Sequence, residues 1–258
     1  MRGARIWLAL LWLGLALLPA RAEEEVLAGL SQTSVALTAT FGGSEILVFG
    51  AIRRDGPLPE GAAPAQIIVT VEGPPQRLSV WRKGRRGGVW MNVEEVRIAR
   101  APSFYAVAAS GELDAVLSAT EDLRHSVSIP RAIRSFGTMA MAEDAPRFVE
   151  ALIRLRTAAG MFHAAPDTVE VRGDTLFSTT VALPANLAAG SYRVRVMLTR
   201  DGRVLDIHET AIEVRQAGLE LWLSTLAHER PLIYGLLAVA LAVAAGWGAS
   251  AAFRLLQR

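Results

Sequence analysis

The chain has 258 residues, with 27 basic and 25 acidic side chains and no cysteine. Missing cysteine excludes a disulfide framework, a thiol nucleophile, a thiolate metal site and a lipid-bearing cysteine behind a leader. Without Arg2, Arg5, Arg21, Arg254 and Arg258 in the terminal flanks, 22 basic residues face 25 acidic ones, which speaks against a nucleic-acid partner.

Residues 1–22 read as a secretory signal. Arg2 and Arg5 form a basic start, Ile6 to Leu18 is apolar, and Ala20-Arg21-Ala22 is an A-x-A site with cleavage expected after Ala22. An uncleaved N-terminal anchor is the alternative, and both place the middle of the chain outside the cytoplasm.

Residues 23–112 are expected to form a periplasmic β-sandwich region. Short runs rich in Val, Ile and Thr recur as SVALTATF, EILVFGAI, QIIVTVEG, RLSVWRK, GVWMNVEEVRIA and FYAVAAS, separated by Gly- and Pro-containing turns. Tyr105, starting a strand after Ala101-Pro102-Ser103, fits a corner tyrosine tied back to backbone. Residues 113–163 then change period and are expected to be a helical connector. A short helix is expected near Glu112 to Leu117, and Thr120 with Glu121 and Asp122 marks a second start. Asp144 and Pro146 open a third, with Phe148, Leu152, Leu155 and Ala159 as its apolar stripe and Gly160 as its stop.

Residues 164–216 return to β structure as DTVEVR, TLFSTTVALP, SYRVRVMLT and RVLDIHETAIEVR. The last two should form a hairpin across Asp201-Gly202. Tyr192, Val194, Val196 and Leu198 are expected to face the core, with Arg193, Arg195 and Thr199 in water. The turn before Tyr192 is similar to a tyrosine corner. Residues 217–230 predict a juxtamembrane amphipathic helix with Trp222 as interfacial anchor. Pro231 to Phe253 holds 23 residues without a charge, ~34 Å of helix against a hydrocarbon core of ~30 Å, and so predicts a transmembrane helix. Residues 254–258 are the cytoplasmic tail. The fold class expected is mainly β: immunoglobulin-like antiparallel sandwich regions, a helical insertion and one C-terminal span.

The segments LPANLAAGSYRVRVMLTRDGRV, GLELWLSTLAHERPLIYGLLAVALAVAAGWGASAAFRLL, RKGRRGGVWMN, APSFYAVAA and TEDLRHSVSIPRAIR resemble the alphaproteobacterial putative transmembrane protein family. The resemblance implies the same layout of signal, exported domain and single span. It carries no catalytic or binding residues, and it suggests a transport-linked role beside permeases similar to sulfite exporters.

Among candidate sites, the turn from Trp81 to Gly88 is the sharpest. Arg82, Lys83, Arg85 and Arg86, with three glycines and Trp81 and Trp90 beside them, suit an oxyanion or a lipid headgroup. Lys83 is the one lysine of an Arg-rich chain, however, and the bland reading is a solvated hairpin tip. Glu121, Asp122, Arg124 and His125 form an acid/base-capable cluster, but at a helix start acids serve the dipole, and no nucleophile motif accompanies them. Met139, Met141, Met161 and His163 are soft donors, more often core filler; His125, His163, His208 and His228 lack ligand spacing. No metal or cofactor is expected. In the span, Ala238, Ala242, Gly246 and Ser250 recur every four residues and suit packing against another helix, of a partner or of a second copy.

The function expected is a non-enzymatic accessory or assembly subunit of an integral membrane complex. It would sit in the bacterial inner membrane with its N-terminal domain periplasmic and its C-terminus cytoplasmic. The alternative is a periplasmic anion- or headgroup-binding module that uses residues 81–88.

Overall fold

A computed structural model describes residues 24–38, 40–57, 61–135, 145–218 and 226–256. The expected signal (1–22), Trp222, Met139, Met141 and Asp144 lie outside the described residues. In chain order come β1 (Glu24–Leu30), β2 (Ser34–Leu37), β3 (Ser44–Arg54), β4 (Gln66–Glu72), β5 (Pro75–Arg86), β6 (Val89–Pro102) and β7 (Tyr105–Ala109). Helices α1 (Leu113–Val116), α2 (Ala119–His125) and α3 (Ile129–Ala132), strand β8 (Arg134–Ser135) and helix α4 (Ala145–Ala158) follow. Strands β9 (Phe162–Ala165), β10 (Glu170–Arg172), β11 (Leu176–Leu183), β12 (Gly190–Arg200) and β13 (Arg203–Gln216) lead to helix α5 (Pro231–Leu256).

The described residues are mainly β, with three sheets and one apolar C-terminal helix. The sheets are ordered β1-β3-β11-β10, β2-β13-β12-β4-β7-β9 and β5-β6-β8. Pairing is antiparallel except at two edges, where β2 joins β13 and β9 joins β7 in parallel. Strands from 23–112 and from 164–216 interleave in both larger sheets, so they share one core. Alternation explains how: Ile46, Val48 and Ile52 of β3 point in, whereas Glu45, Leu47, Phe49 and Arg53 point out. The inward set joins Phe177, Val181, Ile67, Val69, Val71, Val194, Val196 and Leu198 in a single cluster. Each such side chain contributes ~1.5–3 kcal/mol by leaving water.

Strands β4 and β7 are buried almost from end to end. Such runs belong to strands covered on both faces. The second cover is the helical segment, whose Val116, Leu117, Val127, Ile133 and Leu152 join the core. That cover overturns the expectation for β12, because Arg195 and Thr199 are buried rather than wet.

Local chemistry sets the helix ends. Ser118, not Thr120, caps α2, its Oγ accepting from the Glu121 N–H. Helix α4 ends at Gly160, φ +70°, as expected. Its buried side is Phe148, Val149, Leu152 and Ile153, whereas Leu155 is 62% exposed. At 3.6 residues per turn Leu155 lies about 90° from the centre of that stripe. Asp201 and Gly202 both have positive φ, the mirror-image turn that the β12–β13 hairpin requires. The Tyr192 hydroxyl donates to the Ala188 carbonyl at 2.8 Å, a corner four residues back. Tyr105 is tied to backbone further on instead, donating to Val127 at 2.7 Å.

Candidate functional site

The basic turn is the tip of the β5–β6 hairpin. Gly87 and Gly88, φ +58° and +86°, make its two-residue turn, and the register pairs Arg86 with Val89, Arg85 with Trp90, Gly84 with Met91 and Lys83 with Asn92. Cross-strand partners share a face, so Lys83, Arg85, Trp90 and Asn92 lie on one side, and Arg86, Val89 and Met91 on the other. Nearer the body, Arg82 pairs with Glu94 and its guanidinium lies 6.0 Å from the Phe148 ring centre. Arg85 Nε donates to the Gly88 carbonyl at 3.3 Å. Lys83, Arg85 and Arg86 meet no carboxylate among the described residues. Trp90 is 68% and Val89 63% exposed, and Trp81 and Met91 are exposed too. The tip thus displays apolar and cationic groups together.

The second face of the six-stranded sheet, the central one, carries a polar cleft of about 200 Å³, lined by Glu72, Arg100, Arg124, His125, Ser126, Arg131, Ala132, Arg193 and Arg195. Sequence reasoning named Arg124 and His125 as neighbours, but missed that β4, β6 and β12 bring Glu72, Arg100, Arg193 and Arg195 to them. Glu72 accepts from Arg193 and, at 3.3 Å, from Arg100. Glu121 is 2.7 Å from Arg124 Nη1 and 3.3 Å from His125 Nε2. Asp122 accepts from the Val127 and Ser128 N–H groups and the Ser128 hydroxyl, and its Oδ2 lies 3.9 Å from Arg131 Nε. Arg195 forms the floor, with Nη1 donating to the His125 carbonyl at 2.7 Å and Nε to Thr70 at 3.2 Å. It therefore ties the C-terminal end of α2 to the sheet, where a cation is favoured. Tyr105 stands beside it, its hydroxyl pushed up to about 12 chiefly by burial.

The soft-donor set is not assembled among the described residues. Met161 is buried in the core, and His163 packs edge-on against Phe104, ring centres 5.4 Å apart, with burial lowering its pKa.

Two surfaces are apolar and uncovered among the described residues. On the outer face of the four-stranded sheet, the register sets Leu27, Ala51 and Leu176 in one row, and Gly29, Phe49 and Ser178 in the next. Leu27, Leu47, Phe49 and Leu176 are each more than 40% exposed there. Phe49 lies over Gly29, filling the space its missing side chain leaves. The other surface is α5, in which Pro231–Ala249 has mean hydropathy 2.0 with no residue buried. Its 19 residues span ~29 Å. Ala238, Ala242 and Gly246 are exposed along it, and Ser250 falls in the same helix. A side chain at Gly246 would meet nothing within 4 Å.

A family model described as "Putative transmembrane protein (Alph_Pro_TM)" matches residues 25–255. No curated protein matches the chain. Among solved structures, the crystal structure of Spo0M, a sporulation control protein from Bacillus subtilis, is similar at 11% identity and a TM-score of 0.30, over 80% of this chain and 55% of that one. The chain thus spans about half of that protein, a likeness too loose to establish a shared fold.

Proposed function

We propose that the chain, which belongs to the putative transmembrane protein family Alph_Pro_TM, is a non-enzymatic accessory or assembly subunit of an integral membrane complex. It sits in the bacterial inner membrane through α5, the β domain periplasmic and Arg254 and Arg258 in the cytoplasm, as the positive-inside rule favours. The resemblance noted from sequence points to transport as the process served.

The observation that carries this reading is the apolar outer face of the four-stranded sheet. A free sheet face normally alternates to polar residues, whereas Leu27, Leu47, Phe49 and Leu176 stay apolar in water. A contiguous patch of this kind fits a protein partner better than a substrate. The test is recovery of membrane partners with the tagged full chain carrying Leu47→Glu and Leu176→Glu. Both side chains point outward, so folding should be kept while partner recovery falls by about tenfold, the cost of desolvating carboxylates in an apolar contact. Undiminished recovery would contradict a contact through this face.

A second reading is favoured by the β5–β6 tip, where Lys83, Arg85 and Arg86 stand beside exposed Val89, Trp90 and Met91. This mixture suits anionic lipid headgroups, with the tryptophan at headgroup depth and the cations on phosphate. Both contacts can coexist in one subunit held at a membrane surface.

A further inference from the structure

We propose that the arginine-lined cleft between α2, α3 and the central sheet binds a tetrahedral oxyanion, as an inorganic ion or as the phosphate of a phosphoester. This site is separate from both the hairpin tip and the outer sheet face. Its charge is the first argument: Arg100, Arg124, Arg131, Arg193, Arg195 and His125 line it, with Glu72 as the one acid among the lining residues. Glu121, which pairs with Arg124, Asp122, which pairs with Arg131, and exposed Glu209 stand nearby; with Glu72 they make four carboxylates against five guanidinium groups, and Arg195 is the one of the five with no carboxylate partner among the described residues. Arg193 feels both Glu72 and Glu209.

The second argument is Arg195. The residue is 8% exposed, and its partners are all neutral: the His125 and Ser126 carbonyls, the Thr70 hydroxyl and the Tyr105 hydroxyl. Two of these contacts, from Nη2 to Tyr105 and to Ser126, are long at 3.5 Å. A guanidinium has five N–H donors, and a buried cation normally holds a carboxylate or another anion. These four contacts leave one Nη1 hydrogen without a partner among the described residues, in a side chain that lines the cleft. Thr70, beneath it, is completely buried, so the floor is fixed.

Geometry supplies the third. Arg193 and Arg100 approach from the Glu72 side, Arg124 and Arg131 from the helical side, and Arg195 from below. Donors from three directions fit oxygens arranged tetrahedrally better than the two coplanar oxygens of a carboxylate. A water occupies ~30 Å³, so a cleft of about 200 Å³ holds one such group with a few waters.

The experiment uses the full chain in detergent micelles, with thermal unfolding and calorimetric titration at constant ionic strength. The probes are inorganic sulfate, inorganic phosphate and glycerol 1-phosphate, with chloride as control. Saturable stabilisation by sulfate or phosphate is the expected result and identifies a free ion; response to glycerol 1-phosphate alone supports the same site with a phosphoester, such as a lipid headgroup, as its source. Arg124 and Arg131, with side chains 64% and 51% exposed, can be replaced without disturbing the core. Arg124→Gln with Arg131→Gln should raise the dissociation constant by about tenfold or more, whereas Arg53→Gln on the opposite sheet should leave it unchanged. No response beyond that of chloride, or wild-type affinity in the double variant, would overturn the proposal.

Discussion

Tyr105 joins the helical cover to the central sheet through one hydroxyl, 2.7 Å from the Val127 carbonyl and 3.2 Å from that of Ser126. Burial dominates its titration and lifts it from 10.0 to about 12. The unfolded chain then loses this proton first as pH rises. The contribution is fully present below pH 10 and lost between about 10 and 12, on the order of 2–3 kcal/mol. Denaturant unfolding of Tyr105→Phe at pH 8 and pH 11 should show a smaller loss between the two than wild type, with Tyr192, also raised by burial, supplying what remains. An unchanged loss would remove Tyr105 from the account. The neighbouring Arg195 shows why residue roles in this cleft were hard to read from sequence. Alternation with Tyr192, Val194, Val196 and Leu198 assigns it to the opposite face of the strand, expected to be wet, and the structure buries it there. What alternation cannot report is that α2 and α3 close over the face and remove the water. The cluster of Glu121, Arg124 and His125 was visible as local sequence, but Glu72, Arg100 and Arg193 reach it only through strand pairing.

At the scale of elements, turn chemistry was legible where both central residues need positive φ. Asp201-Gly202 and Gly87-Gly88 each form the hairpin their sequence demands. Strands β1 and β9 were missed, because Glu24–Leu30 opens with two acids and Phe162–Ala165 has four residues behind a helix. Their positions are stabilised by tertiary partners, as in the Glu24 carboxylate that accepts from Arg54 of the adjoining strand β3 and from Arg200 of the six-stranded sheet. The β5–β6 tip gives a prediction of its own. Since the chain lacks cysteine, Trp90→Cys supplies a unique attachment point for an environment-sensitive dye. In reconstituted full-length protein its emission should shift to the blue in anionic vesicles and not in zwitterionic ones. The shift should fade with salt and with Lys83→Gln, Arg85→Gln and Arg86→Gln together. Equal emission in both vesicle types would leave the tip as a solvated hairpin.

For the whole molecule, the layout of a β-rich domain followed by one apolar helix was legible throughout, because a charge-free run of that length has few other physical solutions. The interleaving of the two β regions in shared sheets was not, since sequence order does not fix which strands pair. The molecule that results carries two uncovered apolar surfaces, the outer sheet face and α5, and neither is covered by any other described part of the chain. A membrane accounts for the general apolarity of the helix; it does not account for the sheet face or call for small residues at Ala238, Ala242 and Gly246. An integral membrane partner would account for both. The most direct measurement is affinity purification of the tagged chain from mildly solubilised native membranes, in parallel with the same β domain carried on an unrelated transmembrane helix. The account predicts that the native chain recovers an integral membrane protein and that recovery falls when residues 231–253 are exchanged. Recovery of no membrane protein above the level of an unrelated tagged control would contradict it.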